Sequence, residues 1–204
     1  DETGTDSEDD LGDGDAELAV AYDPVQTAEH NVSLRHGLRW KKIVPAVWIG
    51  PRWRAYSQGE IWGTRLTNNF RWYTDTGFRL DSFLDFERPI IENFFYRKTF
   101  RGKWDQDKDR YDYDVILNVF QRLERRRSIR YQNRYKFRTT TDHQLHEILF
   151  SVTYRQSIWR KWLFFEVAPQ ASFPENDDFD FTPGILFRLE SIIGKRQKKR
   201  KGFK

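Results

Sequence analysis

The chain has no cysteine and no methionine among its 204 residues. Without cysteine there can be no disulfide, no thiolate metal ligand and no cysteine-based redox site. A cysteine-free chain also suits passage through an oxidising compartment, where a stray thiol is a liability. Translated chains begin with methionine, so Asp1 is expected to follow a removed segment. A cleaved secretory signal accounts for that and for the lack of an apolar N-terminal stretch. Also missing is any run near the roughly 18 to 20 apolar residues that a membrane helix needs.

Mean hydropathy is −0.84 and 32% of residues are charged, values that alone suggest a soluble or partly disordered chain. The aromatic content argues otherwise. It reaches 17%, with 17 Phe, 9 Tyr and 8 Trp, and rings in that number must be taken out of water. The net charge of +4 conceals two opposed ends. Asp1 to Glu17 is almost purely acidic and small, and Lys195 to Lys204 is almost purely basic. The expected organisation is an acidic, disordered segment over 1–28, one folded unit over 29–194, and a basic tail over 195–204.

Between Asn31 and Ile193 the pattern is alternation with period 2, broken by turn residues, and no stretch sustains a helical period with caps. Val32, Leu34, Leu38 and Trp40 alternate with Ser33, Arg35, Gly37 and Arg39. A strand over 44–56 carries Pro45 and Pro51, which leave its phase open. Trp62, Leu66, Phe70 and Trp72 oppose Arg65 and Arg71; Phe78, Leu80, Leu84 and Phe86 oppose Arg79, Asp81 and Asp85. Phe94, Tyr96 and Phe100 oppose Arg97 and Arg101, and Tyr113, Val115 and Leu117 oppose Asp112 and Asp114. Ile129, Tyr131 and Tyr135 oppose Arg130 and Arg134; Phe150 and Val152 fall opposite Glu147 and Arg155. Phe165 and Val167 oppose Glu166, and Phe187 and Leu189 oppose Arg188 and Glu190. These segments predict about ten strands, with tight connections near 57–59, 88–89, 125–127 and 157–160 and longer ones near 102–110, 139–142 and 174–178.

Volume decides what kind of barrel this is. Nearly every strand offers several large side chains on its apolar face, more than a barrel of about eight to ten strands can hold inside. Turned outward, they make a lipid-facing band with aromatic girdles. Trp62, Phe70, Trp72, Phe86, Tyr113, Phe150, Phe165 and Phe187 are the expected lipid-facing residues. The opposite face then fills the lumen. Arg65, Arg71, Arg79, Arg97, Arg130, Arg134, Arg155 and Arg188 are expected to pair there with Asp81, Asp85, Asp112, Asp114, Glu147, Glu166 and Glu190. The predicted fold is all-β: a closed antiparallel transmembrane barrel of about ten strands, with disordered termini.

Phe181–Ile193 (FTPGILFRLESII) resembles the C-terminal assembly signal of bacterial outer-membrane barrels, with apolar residues at alternate positions. Phe70–Asp75 (FRWYTD), Trp162–Val167 (WLFFEV) and Thr182–Glu190 (TPGILFRLE) are similar to segments of uncharacterised proteobacterial outer-membrane proteins. That signal usually ends a chain on an aromatic residue, whereas here Ile193 precedes a basic extension. The resemblance covers most of residues 31 to 193 and implies a mature chain integral to the outer membrane.

Chemistry-bearing groups are few. Arg122 to Arg138 interleaves bases with aromatics, a composition that nucleic-acid surfaces share, but a strand sorts the two kinds onto opposite faces. His143 and His146 stand three apart, which on a strand sends them to opposite sides. His143 and Ser151 share a face but are separated by roughly 26 Å of strand. No cofactor, metal or nucleic acid is therefore expected. In a ten-stranded barrel both termini fall on the periplasmic side. There Lys195, Arg196, Lys198, Lys199, Arg200 and Lys201 are expected to meet anionic lipid, the cell-wall polymer or an acidic envelope protein. The expected role is structural or accessory: an anchor, or a subunit of an envelope assembly. The alternatives are a narrow, anion-preferring pore, a lipid-modifying enzyme and a soluble barrel that binds a ligand.

Overall fold

The computed structural model describes residues 16–27, 29–41, 44–124, 126–139, 144–159 and 163–191. They form eleven strands: β1 (Ala16–Gln26), β2 (His30–Lys41), β3 (Val44–Gln58), β4 (Gly63–Tyr73), β5 (Gly77–Ile91), β6 (Phe94–Asp105), β7 (Arg110–Glu124), β8 (Arg127–Thr139), β9 (Gln144–Trp159), β10 (Leu163–Pro174) and β11 (Thr182–Ser191). Each strand pairs antiparallel with its sequence neighbours in one sheet ordered β1 to β11. The sheet curls into a barrel, since side chains from β4 round to β11 line a single interior cavity. From β2 to β10 each strand has a ladder on both sides, the arrangement that hydrocarbon requires.

Alternation sorts the faces. Along Pro45–Trp53 every even residue is buried and every odd one exposed. This settles the phase of β3: Trp48, Arg52 and Arg54 point inward, and both prolines point out. The buried set is polar: Arg71, Arg79, Asp81, Asp85, Asp114, Arg134 and Glu166 are all buried, whereas Phe70, Trp72, Phe150 and Phe187 are exposed. An inside-out distribution of this kind is stable only where the surroundings are apolar. Outward rings gather near the strand ends. Trp104 lies 6.4 Å from Tyr111, Tyr113 stacks on Phe137 at 4.7 Å, and Trp62 meets Tyr96 edge-on at 6.1 Å.

Four expectations change. The segment expected to be disordered, 1–28, contains β1, whose ladder to β2 is interrupted at Asp23–Pro24, between Tyr22 and Val25. Proline donates no backbone hydrogen bond and so tends to mark a bulge. Among the described residues the count is consequently eleven, where about ten were expected. An odd count sends the outer ends of β1 and β11, Ala16 and Ser191, to opposite ends of the barrel, so they do not share the periplasmic side. Finally, β5 runs through Arg88 and Pro89 to a tight turn at Glu92–Asn93, and Gly102 lies within β6. The longest connection, 175–181, lies at the end that also holds 74–76 and 106–109, whereas at the other end, where 92–93 joins β5 to β6, none is longer than 59–62. The basic residues Lys195, Arg196, Lys198, Lys199, Arg200 and Lys201 lie outside the described residues.

Candidate functional site: the charged lumen

The lumen is built from inward residues at alternate positions, and the register brings opposite charges side by side. Arg65 on β4 lies directly across from Asp85 on β5 and grips it with Nε at 2.9 Å and Nη2 at 2.7 Å. Thr99 on β6 donates to the other Asp85 oxygen at 2.5 Å. Glu87 forms an ion pair with Arg97 at 2.7 Å. Asp81, only 1% exposed, has Arg79 at 3.4 Å, Arg71 at 3.6 Å and Arg101 at 4.0 Å. Three guanidinium groups round one carboxylate leave a local excess of positive charge.

The far wall repeats the scheme. Asp114 holds Arg134 at 2.7 Å and Arg101 at 3.8 Å. Asp112 faces Arg110 at 3.1 Å and Arg138 at 3.6 Å; Glu147 binds Lys136 at 2.5 Å. Glu166 takes Arg155 at 2.9 Å and Arg188 at 3.1 Å, while Arg155 also reaches Glu190 at 2.8 Å. Arg130 donates to Thr153 at 3.3 Å. The structure therefore brings all the expected lumen residues into one inward-facing system. Forked arginine–carboxylate pairs hold their geometry well where neighbouring walls restrict water.

The β2–β4 wall differs. Arg35, Arg39, Arg52, Arg54, Arg65 and Arg71 point inward there, and these three strands contain no aspartate or glutamate. These strands supply rings, and the acids that their arginines reach lie beyond them: Asp75 for Arg39, Asp85 for Arg65 and Asp81 for Arg71. Trp48 and Tyr73 are 1% and 2% exposed and face each other at 6.2 Å. Arg39 sits 4.4 Å from the Tyr73 centroid, and Arg71 and Arg35 lie 5.5 and 5.8 Å from that of Trp48. Guanidinium over an aromatic face is a favourable contact that leaves the charge in place. Register gives Trp48 its room, because its partner on β2 is Gly37. Sequence reasoning missed this cluster because Pro45 and Pro51 obscured the phase of β3; the repeated Arg–x–Gly–x–Arg of β2 (Arg35, Gly37, Arg39) was the signal available.

The ion pairs line the lumen without filling it. A central cavity of about 290 Å³ is lined by Arg65, Asp85, Arg97, Arg101, Asn118, Arg130, Arg134 and Arg188 among others. A second, about 210 Å³, lies toward the longer connections among Arg101, Lys103, Asp112, Asp114, Arg134, Lys136, Arg138 and His146. A third, about 800 Å³, opens at the short-turn end beside Glu29, Tyr56, Gln58, Arg65 and Glu87. Neighbouring cavities share walls: Arg65 borders the first and third, Arg101 and Arg134 the first and second. Buried polar atoms such as both Asp81 oxygens, the Asn69 amide and Asn118 Oδ1 find no hydrogen-bond partner among the described residues. Of these residues, Asn118 lines the central cavity.

The expected outward residues lie outward. Trp62, in the turn before β4, is 38% exposed; Phe70, Trp72, Phe150 and Phe187 are exposed, and Phe86, Tyr113 and Phe165 are half-buried among neighbouring rings. Ser151 faces the lumen across from Gln132 and Gln170. His146 pairs with Glu175 at 3.3 Å near the long connections, and His143 lies outside the described residues. Among the described residues, no group of three or more metal-ligating side chains converges.

The sequence matches no protein-family model and no curated protein. Solved structures do share the architecture. The KdgM porin is similar with a TM-score of 0.55 and 10% identity, over 88% of this chain and 92% of that one. The KdgM porin in complex with disordered oligogalacturonate gives 0.53 and 11% over the same shares. The NanC porin, in a rhombohedral crystal form, gives 0.55 and 8%, over 88% of this chain and 93% of that one. These neighbours are porins, so the expected structural or accessory role gains no support from them. The fold is that of the small bacterial outer-membrane β-barrels.

Proposed function

We propose that the protein is a narrow outer-membrane pore that prefers anionic solutes. The observation that carries this reading is the β2–β4 wall, with six inward arginines and no acidic residue on those strands. On the remaining walls carboxylates are present but shared, as with three arginines round Asp81 and two on Glu166. Fixed positive charge along a water-filled passage lowers the barrier for anions and raises it for cations. In this reading the cavities, which share Arg65, Arg101 and Arg134 as wall residues, supply the passage. Acidic saccharides are one class of solute that this charge pattern would accept; oligogalacturonate, a polycarboxylate, was bound in one of the neighbouring porins.

The test is single-channel recording of the detergent-purified protein in planar bilayers. Discrete conductance steps that a polyanionic oligosaccharide reduces, and a neutral oligosaccharide of equal length does not, are the expected result. Silent bilayers, despite heat-modifiable mobility showing a folded barrel, would remove the pore reading.

A further inference from the structure

Along β3 to β11 the outward face is almost free of charge. Among the described residues, only Arg88 on β5 and Lys98 on β6 place a charged side chain outward within a strand. Arg127, at the first position of β8, also points outward, but it pairs with Glu124 across its turn at 3.7 Å. Arg88 and Lys98 have no carboxylate within ion-pair distance among the described residues. Two unneutralised cations on a lipid-facing surface carry a cost that falls steeply toward the membrane interface.

Their placement is coherent. Arg88 lies opposite Tyr96, and Lys98 lies opposite Phe86 on the same pair of strands, so the two cations are diagonal neighbours. Side chains so related have Cβ atoms within about 7 to 8 Å, close enough for one phosphodiester to touch both. Both stand near the tight Glu92–Asn93 turn, and therefore near the periplasmic interface if short turns face the periplasm. Rings frame them: the Arg88 guanidinium is 4.8 Å from the Trp62 centroid, and Lys98 Nζ is 4.7 Å from that of Phe100. The long aliphatic stems let both charges reach the headgroup level while their methylenes stay in hydrocarbon.

We infer that Arg88 and Lys98 form a binding site for the phosphate of an anionic phospholipid on the outer surface of the barrel, in the leaflet at the short turns. The inference needs the membrane fold and is independent of whether the lumen conducts. Juxtamembrane cations attract anionic lipid by about 1 kcal/mol each, or about fivefold in affinity per residue. Native mass spectrometry of the full chain, released from micelles doped with phosphatidylglycerol or phosphatidylcholine, reads the site directly. Wild type should retain phosphatidylglycerol preferentially, and the double variant Arg88→Gln/Lys98→Gln should lose on the order of tenfold or more of that preference. A control variant, Arg126→Gln/Arg127→Gln, removes two cations at a neighbouring short turn and should keep it. Unchanged preference in the first variant, or equal loss in both, would overturn the site. Heat-modifiable mobility confirms that each variant is folded, and single replacements at Arg88 or Lys98 serve if the double variant is not.

Discussion

The two sides of this lumen handle positive charge in different ways. From β5 to β11 most inward arginines stand near a carboxylate carried by the same group of strands, as Arg134 does with Asp114 and Arg155 with Glu166, and several also meet inward rings, as Arg97 meets Phe95 and Phe120. From β2 to β4 the strands carry no acid of their own: Arg35, Arg39 and Arg71 lean on Trp48 and Tyr73, and Arg39, Arg65 and Arg71 reach Asp75, Asp85 and Asp81 beyond those strands. The first arrangement draws its carboxylates from its own strands, whereas the second adds rings and takes its acids from outside β2 to β4. Rigidity and selectivity can thus be assigned to separate walls.

That division can be broken at the backbone first. Gly50 on β3 sits where a side chain would strike β4, since an added Cβ would fall 1.7 Å from the Phe70 carbonyl oxygen. Gly50→Val should abolish assembly of a heat-modifiable barrel, as judged by gel mobility. Next comes Asp81→Leu, which leaves Arg71, Arg79 and Arg101 without their shared carboxylate. Removing one member of a buried ion cluster costs about 3 to 5 kcal/mol, reduced here because Arg101 keeps Asp114 as a partner. The expected sign is a lower urea midpoint together with stronger anion preference. Trp48→Ala should act on the pore more than on the fold, raising conductance by opening space beside Gly37 without changing net charge. Phe70→Ala is the mildest. Its ring is 50% exposed to the apolar surroundings, so the shift should stay near 1 kcal/mol or below.

Much of this plan was legible in the sequence because a strand's period is short and its two faces here differ so strongly. Ile129–Phe137 separates rings from ions, and Phe78–Phe86 does so apart from the inward Phe83; their inward arginines and carboxylates could be named from the alternation. What stayed hidden had local causes. β1 follows an acidic run and is broken at Asp23–Pro24, so the alternation of Leu18, Val20 and Tyr22 was overshadowed by composition. In β3 the prolines occupy outward positions, where a missing N–H and an uncertain phase look alike in sequence. Pairing partners were legible only as a class. Which arginine meets which acid depends on register across strands, and register is a property of the assembled sheet.

Ion selectivity tests the central claim most directly. With a potassium chloride gradient across a planar bilayer holding this protein, the reversal potential reports which ion crosses. A potential displaced toward the chloride equilibrium value, moving toward zero when Arg35, Arg52 and Arg54 are replaced together by Gln, is the predicted result. A potential near the potassium value, or one insensitive to those three replacements, would contradict it.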